Sequence, residues 1–278
     1  MRARKNKSNL NTREAINGYL FAAPWLIGLC VFTAYPLIAS LIYSFFDYNV
    51  YNRMDWVGLG NYISLIKEDQ LFWVSLYNTA YYTIFSVPLG IIVGLAIAIL
   101  LNQNIKGLAL FRSIYYLPAV ISGVAVSILW IWVLDPNFGL IASVLGIFGI
   151  NSPNWLGDPS WSKPALILMS LWGAGGSMII YLSGLQSIPT ELYEAARIDG
   201  ANSIQCFLKI TIPMMTPVLF FTLITGLIGS FQVFTQAYVM TDGGPLNSTL
   251  FYVLYLYRKA FAFMQMGNAS AMAWILAL

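Results

Sequence analysis

Two glutamines, Gln232 and Gln236, lie four residues apart in the stretch 231-FQVFTQAYVM-240, where most other side chains are apolar. Residues at this spacing share one face of a helix, so both amides are expected on the same side of one membrane-spanning helix. A polar pair there must hydrogen-bond either to a neighbouring helix or to a hydroxyl-rich solute in a pathway. The sequence favours neither interpretation over the other.

Acid–base chemistry has little support in this chain. It contains no histidine, which removes the commonest general base and the commonest metal ligand. Carboxylates occur only at the ends of the predicted spans and in loops, so no acid–base pair is expected at membrane depth. A membrane enzyme or a proton-driven pump is therefore disfavoured, whereas a sodium site built from carbonyl and hydroxyl oxygens stays possible.

Charge is instead concentrated in the segment 191-ELYEAARIDGANSIQCFLKITIP-213. Its five charged residues are Glu191, Glu194, Arg197, Asp199 and Lys209, although charged residues make up only 9% of the chain. The pattern predicts two short helices. Thr190 is the expected N-cap of the first, acids occupy its first turn, and Gly200 ends it.

The second short helix is expected to begin after Asn202. Gln205 stands three residues later, at the reciprocal position of a capping box. Phe207 and Leu208 provide apolar anchors ahead of Pro213 and the next span. The segment could rest on lipid headgroups, but its small residues and acids are better suited to a groove in another protein.

The composition predicts a membrane protein. Of 278 residues, 59% are hydrophobic and 9% charged, whereas a soluble domain carries about 25% charged residues. Uncharged runs long enough to cross a bilayer predict an all-α protein with six transmembrane helices. The runs are Tyr19–Phe46, Gln70–Ile105, Ser113–Leu134, Pro164–Ile188, Ile210–Thr241 and Ala260–Leu278.

The first and last runs raise questions about the ends of the chain. The first run has 28 uncharged residues, too long for a cleaved signal peptide, and is expected to be retained. The sequence stops without a polar flank after the sixth run, so that helix is expected to be truncated. Cys30 and Cys206 imply no disulfide framework, and a net charge of +3 is too small and dispersed to suggest nucleic acid.

The distribution of lysine and arginine predicts a cytoplasmic N-terminus. Nine of these residues then lie inside: Arg2, Arg4, Lys5, Lys7, Arg13, Lys106, Arg112, Arg197 and Lys209. Five lie outside: Arg53, Lys67, Lys163, Arg258 and Lys259. The outer loops contain 54-MDWVGLGNY-62 and 151-NSPNWLGDPSW-161, whose aromatic residues could form an interfacial belt or a docking surface for a partner.

Small residues predict close helix packing at two places. Gly90, Gly94 and Ala98 recur at four-residue spacing, and Gly226 and Ser230 repeat the pattern. Such faces let helix backbones approach each other. The predicted domain order is a basic cytoplasmic tail at 1–18, a first transmembrane helix at 19–46, an outer loop at 47–74 and a core at 75–278. The polar loop lies at 189–212 within that core.

The stretch 194-EAARIDGANSIQCFLKITIPMMTP-217 resembles the cytoplasmic EAA loop of binding-protein-dependent ABC importer permeases. Nine positions match this pattern, and Ile212 replaces its usual leucine. The matching residues are Glu194, Ala195, Ala196, Asp199, Gly200, Ala201, Phe207, Ile210 and Pro213. The stretches 57-VGLGNY-62, 72-FWVSLYNT-79 and 241-TDGGP-245 make the chain similar to the carbohydrate subfamily, related to maltose and glycerol-phosphate permeases.

The resemblance implies both partners and roles. In such importers the EAA loop is a coupling helix that docks in a separate ATPase subunit. By position, Glu194, Ala195, Ala196, Asp199, Gly200 and Ala201 would form the coupling surface, and Phe207 would pack behind it. ATP and Mg²⁺ would bind the ATPase, because this chain has no phosphate-binding loop of the type G-x-x-x-x-G-K-[ST] and is expected to bind no cofactor.

The implied assembly contains a second, distinct permease, two ATPases and an extracytoplasmic solute-binding protein in a bacterial or archaeal cytoplasmic membrane. The implied solute is an oligosaccharide or sugar derivative. The sequence also leaves open an ion-coupled secondary transporter with its path near Gln232 and Gln236, and a non-transporting scaffold or enzyme subunit. An exporter permease is disfavoured, because exporters lack the EAA pattern.

Overall fold

The structure is a computed structural model that describes residues 2–49, 54–103 and 106–278, with side chains from residue 14 onward. Several sequence predictions fall outside the described residues. Arg53, in the count of outer charges, is one of them, and Ile105, at the end of the second predicted span, is another. In the basic tail, the structure describes side chains only from residue 14 onward.

The described chain is almost entirely helical, which confirms the all-α prediction. Two two-residue strands, β1 (Phe46–Asp47) and β2 (Asp55–Trp56), pair in antiparallel fashion. The helices are α1 (Arg2–Leu29), α2 (Tyr35–Tyr43), α3 (Gly60–Lys67), α4 (Gln70–Leu101), α5 (Leu108–Val120), α6 (Gly123–Val133), α7 (Leu140–Ile147), α8 (Pro159–Trp172), α9 (Gly175–Gln186), α10 (Thr190–Ile198), α11 (Ser203–Cys206), α12 (Ile212–Phe231), α13 (Thr235–Met240), α14 (Tyr252–Tyr257) and α15 (Met266–Ala277).

Three π-helical turns lie between these helices, at Cys30–Ala34, Phe207–Thr211 and Arg258–Ala262. The first two each precede a proline, Pro36 and Pro213. A proline lacks the N–H that a helix needs at that position, and its ring clashes with the carbonyl four residues earlier. A wider turn accommodates this conflict without ending the helix.

Three described helical segments are long and apolar enough to cross a membrane: Glu14–Tyr43, Gln70–Leu101 and Ser203–Phe231. Two further pairs qualify only when taken together. They are α5 with α6, which meet at 101°, and α8 with α9, which meet at 48°. The total is therefore three spans, or up to five if each bent pair is one crossing. The six-span count stays a prediction.

The third predicted span, Ser113–Leu134, is not one straight helix. Ile121 and Ser122 are extended, with ψ of 141° at both residues, and they separate α5 from α6. Pro118 removes one backbone donor from the last turn of α5. The Ser122 hydroxyl accepts from the Ala125 N–H at 3.4 Å and begins a new helix. The uncharged run was visible in the sequence, but the direction of its bend was not.

The fourth predicted span, Pro164–Ile188, starts too late. The Asp158 carboxylate accepts from the Ser160 N–H at 2.7 Å and Pro159 follows it, so α8 begins at Pro159. Aspartate at the N-cap and proline at the first helical position form a recognisable start signal. The earlier start includes Lys163 in the helix.

The chain divides into two compact units. The first runs to Glu68 and also contains Leu256–Leu278. In this unit the Asn61 amide donates to the carbonyl oxygens of Ser44 and Phe46, each at 2.8 Å. The Tyr62 hydroxyl donates to the Ser44 hydroxyl at 2.8 Å. The last two residues of the motif VGLGNY therefore fix the chain where α2 gives way to β1.

The second unit, Asp69–Tyr255, is built on the packing of α4 against α9 and α12. Its buried cluster, here called the three-helix cluster, takes residues from α4, from α9 and the turn after it, and from α12. They are Leu95, Ala98, Leu101, Met178, Tyr181, Leu182, Leu185, Ile188 and Met215. The predicted domain boundaries are not decided by this division and stay predictions.

Gly94 lies where α4 packs tightly against α9. A Cβ atom at Gly94 would lie 2.7 Å from the Ser177 hydroxyl and 3.0 Å from the Tyr181 ring. A Cβ atom at Gly90 would meet nothing within 4 Å. The packing prediction is therefore confirmed for Gly94, whereas Gly90 faces open space.

We expect Gly94→Val to lower the thermal unfolding midpoint of the purified protein and Gly90→Val to leave it nearly unchanged. Overpacking at a tight contact costs about 1–3 kcal/mol, and both substitutions carry the same penalty for a β-branched residue in a helix. Unfolding in detergent, followed by tryptophan fluorescence, measures both variants. Equal midpoints would contradict this description of the contact.

Candidate functional site

The polar segment predicted as a coupling loop begins with α10. Pro189 is its N-cap residue, with φ of −59° and ψ of 130°, and no side chain caps the helix there. The predicted cap at Thr190 is therefore wrong. Pro189, with its fixed φ and extended ψ, is the last residue before the helix, so α10 begins at Thr190, one residue earlier than predicted. Glu191 lies in the first turn, where the helix dipole favours a negative charge, as predicted. Glu194 was predicted in the same turn but lies beyond it.

The first helix ends as predicted. Gly200 has φ of +83°, a left-handed conformation that glycine adopts without strain. The Gly200 N–H donates to the Arg197 carbonyl at 3.0 Å, and the Ala201 N–H donates to the Ala196 carbonyl at 2.8 Å. These two bonds form a Schellman motif, which satisfies carbonyls at the helix end.

A complete capping box follows immediately. The Gln205 N–H donates to the Asn202 side chain at 2.9 Å, and the Asn202 N–H donates to the Gln205 side chain at 2.8 Å. The prediction of this pair is confirmed. Only Ala201 separates the Schellman glycine from the cap of α11, so the turn between the helices is short and internally hydrogen-bonded.

The second helix, however, is not a separate short helix as predicted. It runs without a break from Ser203 to Phe231, because the π-helical turn at Phe207–Thr211 absorbs the effect of Pro213. The polar segment therefore continues directly into a membrane span.

Tyr193 and Phe207 attach this segment to the membrane unit. Both side chains pack against the three-helix cluster. The Tyr193 hydroxyl also lies 2.9 Å from the Thr211 hydroxyl, which links α10 to the π-helical turn. The expected role of Phe207, packing behind the coupling surface, agrees with this position.

Most of the predicted coupling residues are exposed. Glu194, Ala195, Asp199 and Gly200 are exposed, and Ala196 and Ala201 are half-buried. A concave surface of about 270 Å³ lies beside them, between α10 and α11, with Lys209 and Gln205 at its edge. Small and acidic residues therefore lie on an exposed surface of a segment that Tyr193 and Phe207 fix to the three-helix cluster.

A second feature of this unit is a cleft of about 460 Å³ among α4, α8, α9, α12 and α13. Hydroxyl groups dominate its polar lining, with one amide. The polar side chains are Tyr82, Ser86, Ser170, Ser177, Tyr181, Thr222, Thr225, Ser230 and Gln236. Gly90 and Gly226 lie on its wall; Gly90 faces open space, whereas a Cβ atom at Gly226 would lie 3.2 Å from Val87 Cγ1.

The structure separates the two predicted pathway glutamines. α12 ends at Phe231, Gln232 is its C-cap residue, and α13 begins only at Thr235. The expectation that both amides share one face of a continuous helix is therefore wrong. Gln236 lines the cleft, whereas Gln232 is exposed and does not.

A network at the other end of α4 joins two of the sequence motifs. The buried Asn78 amide donates to the carbonyls of Asn247, at 2.8 Å, and Leu250, at 3.2 Å. The Lys163 ammonium donates to the Asn78 side-chain oxygen at 3.0 Å and lies 5.0 Å from the ring centres of Tyr77 and Tyr81. Asn78 of the motif FWVSLYNT therefore binds the backbone of the residues that follow the motif TDGGP.

Further contacts close the turn of the TDGGP motif. The Gly244 N–H donates to the Thr241 carbonyl at 2.8 Å. The Thr249 hydroxyl donates to the Gly244 carbonyl at 2.8 Å, and the Ser162 hydroxyl lies 2.8 Å from that of Ser248. Sequence reasoning missed the roles of Asn78, Ser162 and Lys163; the start signal at Asp158 could have placed the last two on α8.

A family comparison identifies this architecture. Residues 86–278 match the family model described as "binding-protein-dependent transport system inner membrane component". The chain belongs to this family. It is therefore a multi-pass permease of the inner membrane, a transport component rather than an enzyme, as the sequence predicted.

Curated relatives extend over nearly the whole permease. It is 42% identical over 274 residues to the probable ABC transporter permease protein YesP of Bacillus subtilis, covering 97% of this chain and 88% of that protein. It is 38% identical over 283 residues to the lactose transport system permease protein LacF of Rhizobium radiobacter, covering 99% and 94%. The resemblance to sugar permeases is therefore confirmed.

A solved structure confirms the fold. The permease superimposes on a chain of a bacterial ABC transporter involved in the import of alginate with a TM-score of 0.84. The match covers 98% of the permease and 93% of that chain at 24% sequence identity. At this identity the likeness establishes the ABC importer permease fold.

We expect Asn202→Ala to speed hydrogen exchange at the amides of residues 205–207. Loss of an N-cap side chain costs about 1 kcal/mol, which corresponds to roughly fivefold faster exchange through local opening. Ser203→Ala, at the next and equally exposed position, is the control. Equal exchange rates in the two variants would show that the capping box does not stabilise the turn.

Proposed function

We propose that the permease is one subunit of an ATP-driven importer of carbohydrate and that α10 is its coupling helix. The observation that carries the proposal is that the EAA residues are exposed on a segment whose neighbouring side chains pack against the membrane unit. Glu194, Ala195 and Gly200 are exposed, while Tyr193 and Phe207 fix the same segment to the three-helix cluster. A surface of this kind suits a partner that must push or pull on the membrane helices.

The proposed partner at this surface is an ATPase subunit on the cytoplasmic side. Small residues at Ala195 and Ala196 allow close approach, and the acids at Glu194 and Asp199 can pair with basic groups in a receiving cleft. ATP and Mg²⁺ would bind that subunit. This assignment places the N-terminus of the permease in the cytoplasm, in agreement with the distribution of lysine and arginine.

The proposed mechanism is rigid-body coupling. Closure of two ATPases would move α10 in this permease and its counterpart in a second, distinct permease, and the spans would alternate between inward-open and outward-open arrangements. The continuous helix from Ser203 to Phe231 supports this, because it leaves no flexible joint between the coupling segment and the wall of the cleft.

The proposed solute is an oligosaccharide or sugar derivative delivered by an extracytoplasmic binding protein. Relatives are named as permeases of transport systems for lactose, for trehalose and maltose, and for arabinooligosaccharides. The cleft supports a sugar, because its hydroxyl and amide lining can exchange hydrogen bonds with the hydroxyl groups of a sugar. Gln236 is the proposed contact on α13, and Gln232 is assigned no contact.

We expect Glu194→Arg to abolish the stimulation of ATP hydrolysis by the solute and its binding protein. The change adds bulk and reverses the charge at the proposed docking surface, without touching the cluster beneath. Glu191→Arg, one turn earlier on the same helix and also exposed, is the matched control and should keep most of the stimulation. The measurement uses the complete transporter reconstituted in proteoliposomes, with membrane insertion checked separately.

Gly200→Val should also uncouple transport, by a different route. No atom lies within 4 Å of the position where its Cβ would be, so the effect comes from the left-handed backbone rather than from a clash. Retention of full stimulation by both Glu194→Arg and Gly200→Val would refute the coupling role.

We expect Gln236→Ala to raise the solute concentration needed for half-maximal transport by roughly fivefold, because one net hydrogen bond contributes about 1 kcal/mol. Gln232→Ala, outside the cleft, should leave that concentration unchanged. Uptake of radiolabelled sugar into proteoliposomes measures both. An equal effect of the two substitutions, or none, would remove the cleft from the transport path.

A further inference from the structure

An uncharged connection joins α6 to α8 and contains α7. No charged residue occurs between Asp135 and Asp158, and no side chain of α7 is buried. Most large apolar side chains around this helix are exposed, above all Phe138 (83%), Ile147 (80%) and Phe148 (73%). Leu140, Val144 and Ile150 are also exposed, whereas Ile141 and Leu145 are half-buried.

α7 is apolar on every side. Ser143 is its one polar side chain, and the Ser143 hydroxyl donates to the Gly139 carbonyl at 3.0 Å. A helix that docks on a soluble partner normally has one apolar stripe and an opposite polar face. A helix that is apolar all round is found within a core or in lipid, and among the residues that the structure describes none buries a side chain of α7.

Two carbonyl groups at the C-terminal end of α7 are hydrogen-bonded within the chain. Gly149 has φ of +70° and forms a second Schellman motif. The Gly149 N–H donates to the Gly146 carbonyl at 3.0 Å, and the Ile150 N–H donates to the Leu145 carbonyl at 3.0 Å. An unpaired backbone group costs several kcal/mol in hydrocarbon, so this internally bonded end suits a site without water.

The opposite end of α7 is polar. The Asp135 carboxylate accepts from the N–H groups of Asn137, at 2.8 Å, and Phe138, at 3.0 Å. The Asp135 carboxylate and its turn are suited to the headgroup region of a bilayer. The apolar C-terminal end, at Ile147 and Phe148, is suited to the acyl-chain region. α7 is therefore expected to enter the membrane with its C-terminal end deeper.

Two tryptophans mark the return of the chain from α7 to α8. Trp155 and Trp161 pack edge to face with ring centres 5.1 Å apart, and the Trp155 indole N–H donates to the Ser152 hydroxyl at 3.1 Å. Tryptophan is enriched at the membrane–water interface. The helices on either side, α6 and α8, belong to the bent membrane-spanning pairs.

We propose that α7, with its flanking residues Phe138 and Phe148–Ile150, is an interfacial anchor embedded in the lipid bilayer. Its occupant is phospholipid: the apolar side chains insert among the acyl chains of one leaflet, which is the outer leaflet in the orientation proposed above. A transient docking surface is normally only about 56–58% apolar, whereas no charge interrupts this stretch. The anchor ties the α6–α8 connection to the membrane and is independent of the transported solute.

Collision measurements on spin labels test the proposal in the assembled transporter, reconstituted in nanodiscs of phosphatidylethanolamine and phosphatidylglycerol. Single labels are placed at Ile147→Cys and Leu140→Cys after Cys30→Ser, because Cys30 is exposed and Cys206 is buried. Leu246→Cys is the matched control: it is also a leucine, 88% exposed, but lies on a turn beside Asp242 and Asn247. Frequent collisions with oxygen indicate that a label lies in lipid, and frequent collisions with a water-soluble nickel chelate indicate that it lies in water.

The expected result is a shift of the collision ratio toward oxygen at residue 147, a smaller shift at residue 140, and an excess of nickel collisions at residue 246. An excess of nickel collisions at residue 147 would place α7 in water and overturn the proposal. Low collision rates with both reagents at residue 147 would show that a protein partner covers α7, which would overturn it equally.

A charged variant provides an independent readout. Ile147→Asp should abolish the shift toward oxygen at a label on residue 140, because a carboxylate resists insertion into lipid. Ser143→Ala, which keeps α7 apolar, should preserve it. Retention of the full shift in Ile147→Asp would also overturn the proposal.

Discussion

The packing of α4 against α9 and α12 is the interaction on which the rest of this permease depends. The same three helices line much of the cleft, through residues such as Tyr82, Ser177 and Thr222, and form the cluster on which Tyr193 and Phe207 rest. The cleft and the polar segment are thus two ends of one packed body. Interiors of this density move as units rather than deforming locally, which gives a physical basis for coupling over a distance.

The π-helical turn at Phe207–Thr211 has a clear consequence for this coupling. A loop at this position would absorb part of any motion of α11. The wider turn instead accommodates Pro213 and keeps one helix from Ser203 to Phe231. π-helical turns are often found at functional sites, and this one lies where a force applied to the polar segment must enter the membrane unit.

The amino-acid sequence predicts local features of this fold well. The capping box of Asn202 and Gln205 and the stop at Gly200 were readable because each depends on residues three to five positions apart. The uncharged runs were also readable, because a bilayer requires them. The start of α10 was misplaced by one residue, since a serine or threonine cap and a proline cap are hard to separate without the backbone angles.

Features that depend on distant residues were not predictable. Lys163 and Asn78 are separated by 85 residues, and Asn78 and Asn247 by 169, so no local pattern links them. The assignment of Gln232 and Gln236 to one face assumed an unbroken helix, and the break after Phe231 has no proline or glycine at residues 232–234 to signal it. Pro118 signals a break near the end of α5, but no local pattern gives the angle of 101° between α5 and α6.

The most direct test of rigid coupling is the distance between the polar segment and α4 during the transport cycle. Spin labels at Leu192→Cys, on α10 but outside the proposed docking surface, and Leu100→Cys, both exposed, report it by double electron–electron resonance after Cys30→Ser in the reconstituted transporter. We predict the same narrow distance distribution without nucleotide and with ATP trapped by a catalytically inactive ATPase. A distribution that shifts or broadens with ATP would show that α10 hinges on its anchors, and would contradict the account.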